Sequence, residues 1–576
     1  MSVEKNPTRG TSATPTSAAT PDRRRWWGLA AVALGVSLII MDATVVNVAL
    51  PTVIEDLHLD ATQAEWMNAI YSLVFAALLL TVGRAGDIWG RRRLFLLGMA
   101  IFVVASVLAG LSTTPLMLLG ARLLQGLGAA MILPSTLSTL NAVFVGRERA
   151  IAFAVWGSTI GGMAALGPLV GGWLTTDYSW RWSFLLNVPV GLVVLALIVV
   201  AVPETRDEDA PRRLDLYGVT LSAVGLAGIV FALIEGQHYG WWRQADGTLS
   251  PVPVALVVGV VFLWRFWVVQ RRRARAGKNV LVDLGLLDVR SFRFGSLAAL
   301  IVALGEFGLL FTLPLLLQNA LGFSALDTGW LIAALAMGTF VVSGMTPRLT
   351  GRFGGRAVVR AGLATEAVAV LGLALTVSLD ISGWLVALWL FLYGLGVGMA
   401  TAQLTSVILA EIPVTESGQA SGLQSTFRQL GSALGVALLG TLLLTTLGRA
   451  TTTNVEATGA PPQAAESISS AVQGSAGSVI PSLRADPATA AAGEAAAAAL
   501  VTASRWTTGI AAGVIGVGLL ATLALPYVSP DPGQAARRED EAAGDDGEAD
   551  DTSDGDGDER DEPTARGGTA GRPAQD

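Results

Sequence analysis

Fourteen stretches of roughly 20 consecutive, predominantly apolar residues run along this chain, and no other feature restricts its fold as much. Inside a bilayer every backbone N–H and C=O must be satisfied by the protein itself, so such stretches read as transmembrane helices. The expected spans are Trp27–Leu50, Trp66–Val82, Leu94–Leu111, Leu116–Asn141, Ile151–Leu174, Ser183–Val202, Tyr217–Ile234, Pro253–Val269, Ser296–Leu317, Thr328–Met345, Ala357–Leu379, Ser382–Leu409, Gly422–Leu447 and Trp506–Val528. Composition agrees: 52% of the residues are apolar and 14% charged, where a soluble globular protein carries about a quarter charged. The expected class is an all-α, multi-pass membrane protein.

Basic residues in short loops stay on the cytoplasmic side. Arg23 to Arg25, Arg84 with Arg91 to Arg93, Arg147 and Arg149, Arg212 and Arg213, Arg271 to Arg275, and Arg348, Arg352 and Arg356 fall in alternate connections. Both termini are therefore expected in the cytoplasm, and the first apolar run is read as an uncleaved span. The expected segments are a disordered N-terminus (1–25), a six-helix half (26–202), two extra central helices with linkers (203–290) and a second six-helix half (291–528). An Ala/Ser/Thr/Gly-rich external loop (448–504) interrupts the last half, and its Ala488 to Val501 stretch is helix-compatible. A disordered acidic tail (529–576) closes the chain. From Ser529 on stand 16 acidic and 5 basic residues, a balance of −11 that leaves +4 for the rest of a chain whose net charge is −7, so the acidity belongs to the tail.

The chain has no cysteine and two histidines, which excludes disulfide scaffolds, thiolate nucleophiles, Cys-based zinc sites and Fe–S clusters. No metal site and no cofactor is expected. Gly394-Leu-Gly396-Val-Gly398 lies within a span and lacks a P-loop lysine, so it is not a nucleotide loop. An internal repeat is visible: Gly83 to Arg92 follows the second span and Pro347 to Arg356 the tenth, both short, basic and glycine-containing. Two related halves with a central binding site are a common transporter plan.

Ionisable groups inside a span are costly and mark candidate functional positions. Asp42 lies in the first span, Arg122 in the fourth, Glu306 in the ninth and Glu366 in the eleventh. Asp42 and Arg122 each fall about 10 Å from the outer end of their spans, so they pair if their helices touch. A structural ion pair is the alternative reading. Glu306 and Glu366 face either a neighbouring helix or a hydrated cavity. Glu235 and His238 stand near the outer end of the seventh span.

At these residues the chain resembles the major facilitator superfamily, and within it the fourteen-span drug:proton antiporter branch. The loop after the second span resembles the superfamily signature through Gly83, Asp87, Gly90, Arg91 and Arg92, with Ile88 where Arg is usual. Arg122-Leu-Leu-Gln125-Gly126-Leu-Gly128 resembles the fourth-span motif linked to proton coupling, and Gly167-Pro168-x-x-Gly171-Gly172 the fifth-span motif of antiporters. Asp42-Ala-Thr44-x-x-Asn47-x-Ala49-Leu50-Pro51 and Trp180-Arg181-Trp182-x-Phe184-x-x-Asn187-x-Pro189 are similar to the first-span and fifth-to-sixth-span signatures of this branch.

The resemblance implies two six-helix halves, plus two extra central helices, rocking about a central cavity while the proton motive force drives substrate out. One charge crossing 100 mV supplies about 2.3 kcal/mol. On this reading Asp42 and Glu306 alternate between protonation and substrate contact, Arg122 biases Asp42 toward release, and Glu366 joins the coupling path. Asp87 and Arg91 to Arg93 lock the cytoplasmic gate between halves, with Asp87 facing the thirteenth span near Ser417 to Gly422. The expected cargo is a lipophilic, cationic drug or antibiotic, and the expected setting a bacterial plasma membrane, as a monomer without nucleic-acid partners. Export of a particular endogenous metabolite stays open, as does uptake by symport, which the antiporter-type motif disfavours.

Overall fold

In the computed structural model, the described residues are 23–524, apart from 145, 207–214, 237, 245–247, 277–279, 282–283, 410 and 413–416. The expectations for residues 1–22, Arg212, Arg213 and the acidic tail (529–576) fall outside them. The first half comprises α1 (Arg23–Leu57), α2 (Ala61–Trp89), α3 (Arg91–Gly110), α4 (Pro115–Val143), α5 (Gly146–Asp177) and a two-piece sixth helix, α6 (Trp182–Leu185) and α7 (Asn187–Ala201). A hairpin of α8 (Leu216–Glu235) and α9 (Pro251–Arg275) follows. The second half comprises α10 (Arg290–Leu315), α11 (Ala325–Phe353), α12 (Gly355–Thr376), α13 (Gly383–Leu409), α14 (Ser417–Ala457), the short α15 (Pro462–Gly474) and α16 (Ile480–Ala485), and α17 (Ala490–Ala521). A π-helical turn, Leu316–Ala320, ends α10. Among the described residues the only β pairing is an isolated bridge between Arg243 and Leu249.

Eleven of these helices, counting α6 and α7 as one, are long and apolar enough to cross a membrane. The three other expected spans coincide with α2, α5 and α17, continuous helices that stand outside that eleven. A multi-pass, all-helical membrane protein is thus established, and the number fourteen stays an expectation.

The internal repeat extends well beyond the loops. The second helix of each half starts with a capping box, Asp60 with Gln63 in α2 and Ser324 with Asp327 in α11, which satisfies orphan N–H groups of the first turn. Each of the two helices has 29 residues, and each ends on a glycine at positive φ, Gly90 (111°) and Gly354 (81°). Residues with a Cβ rarely adopt that conformation, so glycine allows the next helix to start at once. The third helix of each half then caps the last one. Arg92 donates to the carbonyl of Val199 in α7, and Arg356 and Arg360 donate to the carbonyl of Leu523 just beyond α17. Cationic side chains at helix C-termini satisfy free carbonyls and complement the dipole. These contacts gather the arginines at one end of the bundle, the basic end.

Burial follows position in the bundle. The most apolar stretch of α1 is 72% buried and that of α10 67%, whereas α9 buries only 11% of its own. Val257, Val261 and Trp264 of α9 are exposed, as a lipid-facing helix requires. The halves meet directly through α5 against α11 and α2 against α14. Their cross-half hydrogen bonds run from Ser72 to Ser432, from the Gln318 amide to the Val48 carbonyl, and from the Leu326 N–H to Thr176 Oγ1. The last two lie at the end opposite the basic one, the far end.

The expected external loop is instead a folded cap. At 41 residues α14 is about 60 Å long, twice the hydrocarbon thickness, and it continues past the far end. The helix-compatible stretch from Ala490 and the last expected span as far as Ala521 form a single helix, α17, because the Ala-rich run has high helix propensity and no proline before Trp506. Val472, Ala476 and Ile480 bury against Ala496, Ala497 and Leu500, in one core with the membrane helices below. Arg484 fastens the cap to the π-helical turn through the Ala320 carbonyl, 2.7 Å away.

Candidate functional site

Asp42 and Arg122 form a contact that the sequence could only make conditional. Arg122 Nη1 lies 2.6 Å from Asp42 Oδ2, with side-chain exposures of 1% and 0%. The depths inferred from the spans differ from those found, since α1 runs past Pro51 to Leu57. Asp42 therefore lies fifteen residues, about 22 Å, from the far end of its helix.

Three further side chains complete the network. Gln125 Nε2 and Asn187 Nδ2 each donate to Asp42 Oδ1 at 2.9 Å, and both also donate to Ser106 Oγ. Arg122 Nη1 donates to Gln125 Oε1 at 2.9 Å, and its Nε reaches the Met67 carbonyl on α2 at 3.1 Å. The guanidinium also stacks 4.5 Å above the Tyr71 ring. Five helices thus meet at one carboxylate: α1 supplies it, α3, α4 and α7 surround it, and α2 is tied in through Arg122. A buried charge needs a partner and saturated hydrogen bonding, and here Asp42 has three donors. A proton arriving on Asp42 replaces an acceptor by a donor. Such a proton would leave Arg122 without its counter-charge.

Sequence motifs deliver these partners. Arg122 and Gln125 are one turn apart on α4, and Asn187 belongs to the Trp180–Pro189 signature. The start of that signature anchors the far end: Trp180 Nε1 and Arg181 Nη1 both donate to Asp56 Oδ2, at 3.0 and 2.7 Å. With Arg181 fixed, α6 ends at Leu185 and α7 starts on Asn187, aimed at Asp42. Ser106 has no signal in the sequence that separates it from other serines in spans.

The second half holds another acidic cluster. Glu306 on α10 lies 3.8 Å from Arg428 Nη2 on α14, and Arg428 is 39% exposed. Glu366 on α12 is fully buried, and neither of its carboxylate oxygens has a hydrogen-bond partner. Glu306 and Arg428 are its charged neighbours, and the buried, unpartnered hydroxyl of Tyr393 lies near both acids. Among the described residues no hydrogen bond or ion pair joins Asp42 to Glu306 or Glu366. Arg428 is an intramembrane charge legible in the thirteenth apolar run yet absent from the sequence candidates.

The antiporter-type glycines form seams. A Cβ on Gly171 would stand 2.9 Å from Val45 Cγ1 of α1, and one on Gly172 only 2.6 Å from the Ala325 carbonyl oxygen of α11. Gly167 abuts Thr44, and the Pro168 carbonyl packs on Gly329. Small residues allow backbones to approach this closely. The motif therefore joins α5 to the Asp42 helix on one side and to the other half on the other.

The expected cytoplasmic lock has two of its arginines engaged inside one half. Arg92 donates to Val199, its backbone N–H donates to Glu204, and Arg93 pairs with Glu204 at 3.6 Å, all within the first half. These arginines brace α3 against the end of α7, because Gly90 opens the α3 N-terminus directly toward the Glu204 carboxylate. Gly83 packs against Pro134 of α4. The side chain of Asp87 and those of Ser417 to Gln419 lie outside the described residues.

Two helical halves around buried, charge-bearing helices are the plan of a membrane transporter. The Major Facilitator Superfamily model matches residues 32–214 and 208–436, and the chain belongs to that superfamily. Its relatives place it in the superfamily's multidrug efflux family. It is 35% identical over 454 residues to the probable actinorhodin transporter of Streptomyces coelicolor, covering 77% of this chain and 76% of that protein. It is 36% identical over 430 residues to the puromycin resistance protein pur8 of Streptomyces alboniger (73% and 82%). It is 35% identical over 435 residues to the multidrug efflux pump LfrA of Mycolicibacterium smegmatis (74% and 82%). Among solved structures, a bacterial homologue of the human lysosomal transporter Spinster, inward-facing and unoccupied, matches with a TM-score of 0.58 at 18% identity. That match covers 89% of this chain and 100% of the other and speaks for the fold alone.

Proposed function

We propose that this protein is a proton-coupled efflux transporter that exports lipophilic, cationic drugs or antibiotics by alternating access. The observation that carries the reading is the buried Asp42–Arg122–Gln125–Asn187 network, in which one added proton removes the counter-charge that holds Arg122 to the Asp42 helix. Relatives named for export of, or resistance to, actinorhodin, puromycin and multiple drugs support the direction of transport and the cargo class. The basic end is cytoplasmic on this reading, with both termini there, in a bacterial plasma membrane, and the protein works as a monomer. Exposed Arg428 and the paired Glu306 supply a polar wall opposite the Asp42 network, and Glu366 a further acid on the path. The halves touch through hydrogen bonds at the far end, which supports an inward-facing arrangement.

On this reading the coupling runs through Asp42. Protonated Asp42 releases Arg122, and α1 then shifts against Gly167 and Gly171 of α5, whose other face is the seam with α11. The test is ethidium accumulation in respiring inside-out vesicles, with and without a protonophore, for wild type and Asp42→Asn. Protonophore-sensitive accumulation lost in the variant is expected. Equal accumulation by a normally expressed variant refutes the role of Asp42. No accumulation of ethidium in protein-containing vesicles refutes the cationic cargo and points to a particular neutral product.

A further inference from the structure

A second buried acid lies outside the Asp42 network, at the place where three parts of the molecule meet. Glu65, one turn into α2, is 1% exposed, and neither of its carboxylate oxygens has a hydrogen-bond partner. It presses on Gly440 of α14 in the other half, where a Cβ would stand 2.7 Å from its Oε1. Beside it α8 is bonded to both halves: Trp66 Nε1 of α2 donates to Glu235 Oε1 at 2.9 Å, and Thr441 Oγ1 of α14 donates to the Leu233 carbonyl at 3.0 Å. Glu65, Asn68 and Ser72 fall at i, i+3 and i+7, one stripe of α2, and Ser72 meets Ser432 of α14 at 3.1 Å. The stripe therefore faces the other half, with Glu65 at its far end.

An ionised carboxylate buried without a hydrogen-bond donor is among the costliest groups to bury, so this closed junction accommodates Glu65 as the neutral acid. Parting α2 from α14 exposes Glu65 to water, where it ionises. The charged groups of the surrounding elements do not supply a counter-ion. From α8 the neighbour is Glu235, also acidic. On α14, Arg428 lies twelve residues toward the basic end and Arg449 nine residues beyond, about 18 and 13 Å along the helix. Arg122 of α4 is bound to Asp42 of α1, Asp56 of α1 is bound to Arg181, and Glu55 of α1 lines a far-end cavity. The α3 arginines and Arg84 of α2 are at the basic end, and Glu466 of α15 and His238 after α8 are exposed.

We propose that Glu65 is a proton-binding site of the far-end gate: a proton captured from the far side lets α2, α8 and α14 close over it, and its loss parts them. The inference rests on the transport reading only for which side is the more acidic. Since the buried acid stays sealed while the far end is closed, its proton returns to the side it came from. Glu65 thereby makes gate closure depend on outside pH without carrying the driving proton across.

The chain has no cysteine, so a spin-label pair at Y178C and W384C, exposed far-end positions in opposite halves (64% and 87%), reports on the gate alone. The full-length protein in nanodiscs, without substrate or gradient, is measured by pulsed distance spectroscopy from pH 5 to 9. In wild type the long-distance population is expected to rise with pH, by at most tenfold per unit, the limit for one linked proton. Glu65→Gln, permanently neutral, is expected to stay short across the range. Gly440→Ala, whose methyl displaces the Glu65 carboxyl from its seat on α14, is expected to raise the long-distance population already at pH 5. A flat wild type, or a Glu65→Gln protein that opens as steeply as wild type, overturns the proposal. A protein that titrates its gate through Glu65 but shows no proton-driven efflux refutes the transport reading and keeps this one.

Discussion

Removing the charge of Asp42 tests the central network through stability as well as transport. In Asp42→Asn one acceptor oxygen must serve donors that now sit on two, so an N–H faces either Arg122 or the Gln125 and Asn187 amides, and the guanidinium, 1% exposed, loses its counter-charge. With charge centres about 4 Å apart and an effective dielectric near 20, the lost attraction is about 4 kcal/mol. That agrees with the roughly 3–5 kcal/mol typical of breaking a buried pair from one side. A double-mutant cycle separates this from generic damage. Arg122→Gln alone leaves the carboxylate uncompensated and costs a similar amount, whereas Asp42→Asn with Arg122→Gln removes both charges and restores much of the loss. The assay is denaturant unfolding of purified protein in detergent, followed by tryptophan fluorescence. A coupling energy of about 2 kcal/mol or more is expected. Additive losses, or a single-variant loss below about 1 kcal/mol, refute the view that the two charges depend on each other.

Other substitutions probe neighbouring links. Asn187→Ala deletes one donor to a charged acceptor and should cost about 1–3 kcal/mol in the same unfolding assay, together with slower efflux; Asn187→Asp, which sets a second carboxylate beside Asp42, should cost more. Gly172→Ala places a methyl 2.6 Å from the Ala325 carbonyl, so the α5–α11 seam must part, and a longer distance between labels at Tyr178 and Trp384 is expected. Asp215 caps the basic end of α8 and also accepts from Gln270 and Arg273 of α9. Burial pushes its carboxyl up, but the Gly218 N–H, Arg273 and Gln270 outweigh that and hold it below the ordinary carboxylate value. Its support of the α8–α9 hairpin is therefore complete above the unfolded carboxylate value, near pH 4, and is lost as pH falls through the lower folded value. Asp215→Asn should remove that acid-dependent part of the unfolding profile.

Particular residues show why some of this was legible in advance. Capping boxes, positive-φ glycines and apolar runs act within a few residues of themselves, so helix identity and the repeat of α2 in α11 follow from local chemistry. The Asp42–Arg122 pair was half legible, since an intramembrane charge must find a partner but its own helix does not say where. The Arg92–Glu204 brace went the other way. The resemblance implies a gate at this basic loop, and only the approach of the α7 end to Gly90 shows Arg92 and Arg93 engaged within their own half. The external cap was hidden because Ala, Ser and Thr look alike in a loop and on a helix that packs on a neighbour.

By itself the chain determined a multi-pass helical bundle built from two repeated halves, because membrane solvation acts on each segment separately and needs no knowledge of its neighbours. Tertiary structure alone decided which charges are satisfied. Asp42 has three donors and Glu65 and Glu366 have none, although all three are acids in apolar helices, because a hydrogen bond depends on the helix packed opposite, and that helix can lie more than a hundred residues away in the chain.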